Sequence, residues 1–342
     1  MQCRPVSFEI TNEAELPGRP NGLPMMAAPT KAPWPKGISM DELRTAIVSK
    51  PEYLIENFLP KSGAVLVVAP HKTGKTVLAA QMTFALASSH ALMENYKILD
   101  SGHVIVVEQD DPAGTASWQA YLVAAPYNVA NNVTLFPKHP NFVLGPDFTD
   151  WLEAQIIAKR ARLVVLDTLT ALRPHRGKGC DIVKVEHEEL NALDELAKRT
   201  GCTILVLHHD SKGRVGMDWS AKAGGTYAIT AAVEGQICIS RFPDDISPLR
   251  LIQSRVRHGS DLSLVVKFQL ESLDYYFVMD GAAAPDYPFL VQLRSEFGTG
   301  TFTPKSVGMA TGLSRPSIHR YIERLRQANA IIRTGTGEYK CH

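Results

Sequence analysis

From Gly63 onward, short apolar runs alternate with longer stretches whose apolar residues recur at helical spacing. The runs are AVLVV (64–68), HVIVV (103–107), LVVL (163–166) and TILVL (203–207), each apolar on both faces. Between them the pattern predicts helices ending near Ser88, around Phe148–Lys159 and around Val185–Lys198. A run apolar on both faces suits a parallel strand covered by helices above and below, so the rhythm reads as successive βαβ units. After Gly235 the helices drop out and QICIS, LRLIQS, LSLVVKFQL and YYFVM follow one another, predicting antiparallel strands that extend the sheet. The fold class expected is α/β, a mainly parallel sheet with an antiparallel extension, carrying a small winged-helix domain.

Residues 1–38 break the pattern: rich in proline and without helical or alternating period, they read as an irregular arm. Residues 39–281 are expected to form the main domain, Ala282–Tyr287 (AAAPDY) a hinge, and residues 288–342 a second domain. With 342 residues and 45% hydrophobic content the chain can bury a large core. A formal charge of +1 means that nucleic-acid binding would come from local patches rather than the global field. Five scattered cysteines without CxxC spacing fit a reducing cytoplasm, with neither a disulfide framework nor a zinc site. No secretory pattern and no run of membrane-spanning length is seen, so no membrane partner is expected.

The first apolar run breaks into APHKTGKT and resumes as a mostly apolar helix. This is the layout of a phosphate-binding loop, in which backbone N–H groups and a helix N-terminus face the same anion. Pro70, His71, Lys72, Thr73, Gly74, Lys75, Thr76 and Val77 are the expected nucleotide-binding stretch. Gly74 permits close approach, Lys75 reaches the β- and γ-phosphates, and the Thr76 hydroxyl is offered to Mg²⁺. The first glycine of GxxxxGK[ST] is Ala69, which requires the turn to enter at ordinary negative φ. Strand before and helix after argue against a chance GKT.

Ligands of open α/β sheets bind at the carboxyl ends of the strands, and several of these runs end in polar residues. Asp167 follows LVVL and is expected to hold Mg²⁺, the alternative being a cap on the turn at Thr168. Glu108 follows HVIVV and is placed to activate the attacking water; Asp110 and Asp111 keep open a solvated acidic loop. His208 and His209 end TILVL, where a histidine contacts the γ-phosphate or is an ordinary polar strand end. Two polar segments then carry Arg173, Arg176 and Lys178, and Lys212, Arg214 and Lys222. They suit loops lining a channel for single-stranded DNA, or are two solvated surface loops. Arg255 and Arg257 project to one face at a strand end, to reach a neighbour's γ-phosphate or to sit as edge arginines.

The last 55 residues carry eight Lys and Arg against three acids. Thr303 with Pro304 starts a short helix, Gly312 turns the chain, and Ser314 starts a second helix burying Ile318, Tyr321, Ile322 and Leu325. AIIRTGTGEYK completes a wing. Arg315, Ser317, His319 and Arg320 on the second helix are the expected duplex-DNA contacts, the alternative being an oligomerisation module.

These motifs together resemble the RecA-like P-loop ATPases of the plasmid RepA type, relatives of the hexameric replicative helicases. The resemblance spans about residues 52–280 and rests on PEYLIENFLPKSGAVLVVAP, HKTGKT, VVEQDDP, LVVLDTLTALRP, VLHHDSKG, GGTYAI and RVRHG. It implies ATP and Mg²⁺ as cofactors, hydrolysis at the subunit interfaces of a ring, and loops that grip single-stranded DNA. It assigns Lys75 and Thr76 to phosphate and metal, Asp167 to the metal, Glu108 to the base and His209 to phosphate sensing. Arg257 with Arg255 would be the finger supplied in trans. Ala69 and Arg255, where relatives usually carry lysine, depart from the pattern. The function expected is a DNA helicase or translocase, with an ATP-switched DNA-binding regulator and a recombination mediator as alternatives.

Overall fold

The structure, a computed structural model, describes residues 37–45, 52–111, 115–125, 129, 131–174, 181–209, 227–242, 248–257 and 259–342. The chain divides into two units, Met1–Ser49 and Lys50–His342. The first contains a short helix, α1 (Met40–Thr45). Ser39 starts it: its Oγ accepts from Glu42 N, and Glu42 Oε2 accepts from Ser39 N at 2.7 Å.

The second unit is built on a nine-stranded sheet. In chain order its elements begin with the hairpin β1 (Tyr53–Ile55) and β2 (Leu59–Pro60), then β3 (Gly63–Ala69), α2 (Lys75–Ser88) and β4 (His103–Glu108). There follow α3 (Ala116–Ala124), β5 (Val133–Phe136), α4 (Pro146–Lys159), β6 (Ala161–Asp167), α5 (Leu169–Leu172), α6 (Ile182–Thr200) and β7 (Thr203–His209). After α7 (Tyr227–Ala231) come β8 (Gly235–Arg241), β9 (Leu249–Val256), β10 (Leu262–Gln269) and β11 (Asp274–Asp280). The sheet order is β11-β10-β9-β8-β3-β7-β6-β4-β5, parallel from β8 to β5 and antiparallel from β8 to β11. This is the α/β architecture expected, with every apolar run named above forming a strand.

Strict alternation along each central strand supplies two cores. Val65, Val67, Val104, Val106, Leu163, Val165, Leu205 and Leu207 face α2, while Leu66, Val68, Ile105, Val107, Val164, Leu166, Ile204 and Val206 face α4 and α6. Each fully buried side chain of this size contributes roughly 1.5–3 kcal/mol, so a parallel strand offering both faces is stable only with helices on each side. The α6 helix has the end signals one would want: Asp181 at its start accepts from Lys184 N, and Gly201 closes it at φ 65°.

Among the elements not anticipated are α3, β5 and α8 (Tyr287–Phe297). The stretch Ala282–Tyr287, expected to be a hinge, is a packed 3₁₀ turn (Ala284–Asp286) running directly into α8. Ala284 and Asp286 are buried, and Asp286 accepts both arms of the Arg324 guanidinium at 2.6 and 2.7 Å. A buried carboxylate held bidentately offers no freedom for hinging.

Beyond α8 lie β12 (Thr301–Phe302), α9 (Pro304–Thr311), α10 (Arg315–Gln327), β13 (Ile331–Gly335) and β14 (Glu338–Cys341). The strands form a small antiparallel sheet in the order β12-β14-β13. Thr303 and Ser306 make a reciprocal capping box at the start of α9, and Gly312 ends it at φ 68°. Ile318, Ile322 and Leu325 of α10 pack with Phe289, Leu293, Phe302 and Val307 into a separate hydrophobic cluster. Ser314 stands at the start of α10, but its hydroxyl lies 3.0 Å from Ser317 Oγ and does not cap the backbone.

Candidate active site

The carboxyl ends of β3, β6 and β7 converge on a cleft of about 350 Å³ lined by His71 to Val77, Asp110, Tyr121, Asp167, Thr168, His209, Arg250, Phe268 and Tyr275. Parallel pairing in register brings this about: Ala69 lies opposite His209, and Glu108 opposite Asp167. Sequence-distant strand ends are thereby set side by side.

The loop between β3 and α2 is closely held. Ala69 is the last strand residue and is not among those with positive φ, so the chain enters the turn as an alanine requires. Lys72 adopts φ 57° and Gly74 φ 102°. Opposite Gly74 stands Tyr275, whose hydroxyl donates to Thr73 O at 2.9 Å. A Cβ on Gly74 would run into that hydroxyl, so glycine is required by both backbone angle and close approach. Arg241 Nη2 donates to Lys72 O at 2.7 Å, a second strap from the antiparallel extension.

Lys75 begins α2 and is buried, with Nζ donating to Ala69 O (3.2 Å) and Pro70 O (3.4 Å) and lying 3.2 Å from His209 Nδ1. An ammonium only donates, so His209 Nδ1 accepts and the neutral ring carries its proton on Nε2. Burial foremost, then the Lys75 charge, holds the His209 pKa below the ordinary histidine range, which agrees with a neutral ring. His208 alternates to the other face of β7 and is buried away from the cleft lining.

Thr76 Oγ1 donates to Asp167 Oδ2 at 2.9 Å. Burial, reinforced by the negative Glu108 nearby, pushes the Asp167 pKa up to about 7 even though the Thr76 hydrogen bond opposes the shift. The chemistry of this pair fits a hard divalent cation: one carboxylate and one hydroxyl oxygen, in a buried spot with surplus negative charge. Mg²⁺ bound there would offset that charge and neutralise phosphate oxygens. Thr76 and Asp167 are the residues that would hold it.

Glu108 is brought near Asp167 but is not part of the lining. It is buried at 1% exposure; Oε1 accepts from Asp110 N (2.8 Å) and Asp111 N (2.9 Å), and Oε2 from Trp118 Nε1 (2.9 Å). Burial raises its pKa against the pull of those three hydrogen bonds. The carboxylate that does line the cleft beside Asp167 is Asp110.

The wall opposite the phosphate loop comes from the extension, where Arg250 of β9, Phe268 of β10 and Tyr275 of β11 join Tyr121 of α3. Aromatic rings and a guanidinium can stack on a planar base. None of the four was anticipated from sequence. In the strand pattern they are ordinary residues, and only the register that pairs Phe268 with Tyr275 and Arg241 with Arg250 sets them beside the loop.

The chain from 32 to 215 matches the AAA domain family, more than half of its length. The chain belongs to the AAA domain family. Among solved structures, the crystal structure of the RadB recombinase is similar to this AAA protein at 17% identity and a TM-score of 0.47, covering 65% of this chain and 93% of that one. As an AAA domain, residues 32–215 make the chain a P-loop ATPase, and the phosphate loop, Glu108, Asp167 and His209 all fall within the matched region. Tyr275, Phe268 and Arg250 lie outside it.

The remaining expected residues are dispersed. Arg255 pairs with Asp261 through two arms (2.8 and 3.0 Å), and Arg257 Nη2 donates to Ala231 O at 2.8 Å; neither lines the cleft of its own chain. Arg173, expected on a DNA-gripping loop, is instead largely buried between Glu186 (3.2 Å) and Glu189 (2.8 Å), an anchor for the start of α6. Arg176, Lys178, Lys212, Arg214 and Lys222 lie outside the described residues. Arg315, His319 and Arg320 are exposed on α10, and Ser317 is half-buried. No helix among the described residues is long and apolar enough to cross a membrane.

Proposed function

We propose that this AAA protein is an ATP-dependent DNA helicase or translocase of the plasmid RepA type, acting on single-stranded DNA as a ring-shaped homo-oligomer, with a hexamer favoured. The observation that carries the reading is the convergence of Lys75, Thr76, Asp167 and His209 on one cleft at the carboxyl edge of the sheet. Lys75 receives the β- and γ-phosphates, exchanging loop carbonyls for phosphate oxygens. Thr76 and Asp167 orient the metal side. His209, neutral with Nε2–H available, senses the terminal phosphate, and Glu108 is the base that accepts the proton of the attacking water.

Arg255 and Arg257 sit at the exposed end of β9, away from their own cleft, which supports a role toward a neighbouring protomer's triphosphate. Residues 288–342 are read as a winged helix whose α10 presents Arg315, Ser317, His319 and Arg320 to duplex DNA. The cytoplasm is the compartment this reading requires.

The test is ATP turnover with and without single-stranded DNA, alongside unwinding of a forked duplex. Stimulated turnover with unwinding is the expected result. Turnover indifferent to DNA at every salt concentration would end the motor reading. ATP-dependent DNA binding without unwinding would make the protein a regulator or a recombination mediator.

A further inference from the structure

Glu108 is held outside the cleft. Both of its oxygens accept hydrogen bonds, Oε1 from two backbone N–H groups and Oε2 from the Trp118 indole, and the side chain is not among those lining the cleft. A carboxylate that orients water needs an open lone pair directed at the γ-phosphate. The Asp110 and Asp111 amides belong to the same short loop as Glu108, so among the described residues the hydrogen bond that arrives from a separate element is that of Trp118.

Trp118 lies on α3, and it is the only buried side chain of that helix. Its ring packs edge-on against Phe84 of α2 at 6.4 Å and against Tyr121 at 6.3 Å. Ser117, its neighbour, donates to Asp111 Oδ2 at 2.7 Å, adding a second stitch to the Glu108 loop. Tyr121, one turn further along α3, lines the nucleotide cleft. One short helix therefore touches the bound nucleotide's space with one residue and the carboxylate with another.

We propose that α3 is a latch on Glu108: Trp118 is a positioning residue that holds the carboxylate out of the cleft, and displacement of α3 through Tyr121 releases it. This rests on the reading of Glu108 as the base. A nucleotide filling the cleft presses on Tyr121, the helix carries Trp118 with it, and Oε2 is freed to turn toward the triphosphate. Trp118 is the single side chain that α3 buries in the core beneath α2, so displacing the helix disturbs that core only at Trp118 and at the partly buried residues beside it. The latch keeps the ATPase slow until the cleft is occupied in the productive way.

Trp118→Phe keeps the aromatic packing and deletes the N–H. Expected is a fall in nucleotide Kd and in KM of up to roughly tenfold, about the worth of the one charge-assisted hydrogen bond that binding no longer has to break, with kcat not reduced. A fall in kcat, or a Kd and KM that do not fall, overturns the latch. Glu108→Gln in the Trp118→Phe background separates the two readings. Turnover that survives it removes Glu108 as the base, whereas turnover abolished by it without any Trp118→Phe gain in affinity leaves the base and removes the latch. A measurement independent of turnover is the indole N–H resonance of Trp118 among the four tryptophans, assigned by its loss in Trp118→Phe. In the wild-type chain it is expected downfield and protected from exchange, moving upfield on addition of Mg²⁺, ADP with beryllium fluoride and a single-stranded oligonucleotide. An unmoved resonance with nucleotide bound overturns the proposal even if the variant fails to fold.

Discussion

Gly74 shows how one residue is constrained from two directions, by a left-handed backbone at φ 102° and by the Tyr275 hydroxyl standing where a side chain would go. Gly74→Ala should weaken ATP binding by at least roughly tenfold, the equivalent of about 1.4 kcal/mol, as read by titration with a fluorescent nucleotide. Tyr275→Phe in that background should recover part of the loss, because the obstacle is removed but the φ strain stays. Asp167 predicts a pH effect. Its folded pKa of about 7 lies above the unfolded value near 3.8, so between these the folded state binds more protons. Stability of the nucleotide-free protein should therefore fall as pH rises through that window, by at most about 1.4 kcal/mol per pH unit. Melting temperatures measured from pH 5 to 8 check this, and Asp167→Asn should flatten the slope. Asp167 and His209 were legible in the sequence because each ends an apolar run of strand character, and Lys75 and Thr76 because they complete a GKT motif between such a strand and a helix. Tyr121, Arg250, Phe268 and Tyr275 were not, since nothing local distinguishes them from core aromatics and a strand arginine.

At the scale of elements, the strands were readable and some of their neighbours were not. Central strands bury both faces and leave uninterrupted apolar runs, whereas α3 buries only Trp118 and so carries no helical stripe to detect. The edge strand β5, half-buried throughout, leaves an equally faint trace. Ala282–Tyr287 looked like a hinge from its small residues and proline, yet Arg324 from α10, 38 residues later, locks Asp286 in place. Arg324→Ala should destabilise the α8–β14 region by about 1–2 kcal/mol, less than the 3–5 of a fully buried pair because Arg324 is half-exposed. Hydrogen exchange at the amides of α8 and α10 reads that loss directly, and the sheet amides should stay unchanged.

For the whole molecule, the cleft of one chain gathers Lys75, Thr76, Asp167 and His209 but contains neither Arg255 nor Arg257. If these serve a neighbour, Arg257→Ala chains should bind ATP normally and turn it over at least roughly a hundredfold more slowly, the range expected for loss of a transition-state cation. Mixing them with Lys75→Ala chains should restore activity, since some interfaces then pair an intact loop with an intact arginine. No recovery on mixing would place the arginines outside catalysis. Local order along the chain was enough to determine the α/β class, the phosphate loop, the strand-end acids and the Thr303 cap, because burial periodicity and capping act between residues close in sequence. Which face of the cleft the antiparallel extension would build, that Trp118 would hold Glu108, and that Arg173 would be spent on Glu186 and Glu189 were decided only in three dimensions. Those contacts depend on strand register and on side chains meeting across the sheet, and no local pattern encodes the partner at the far end.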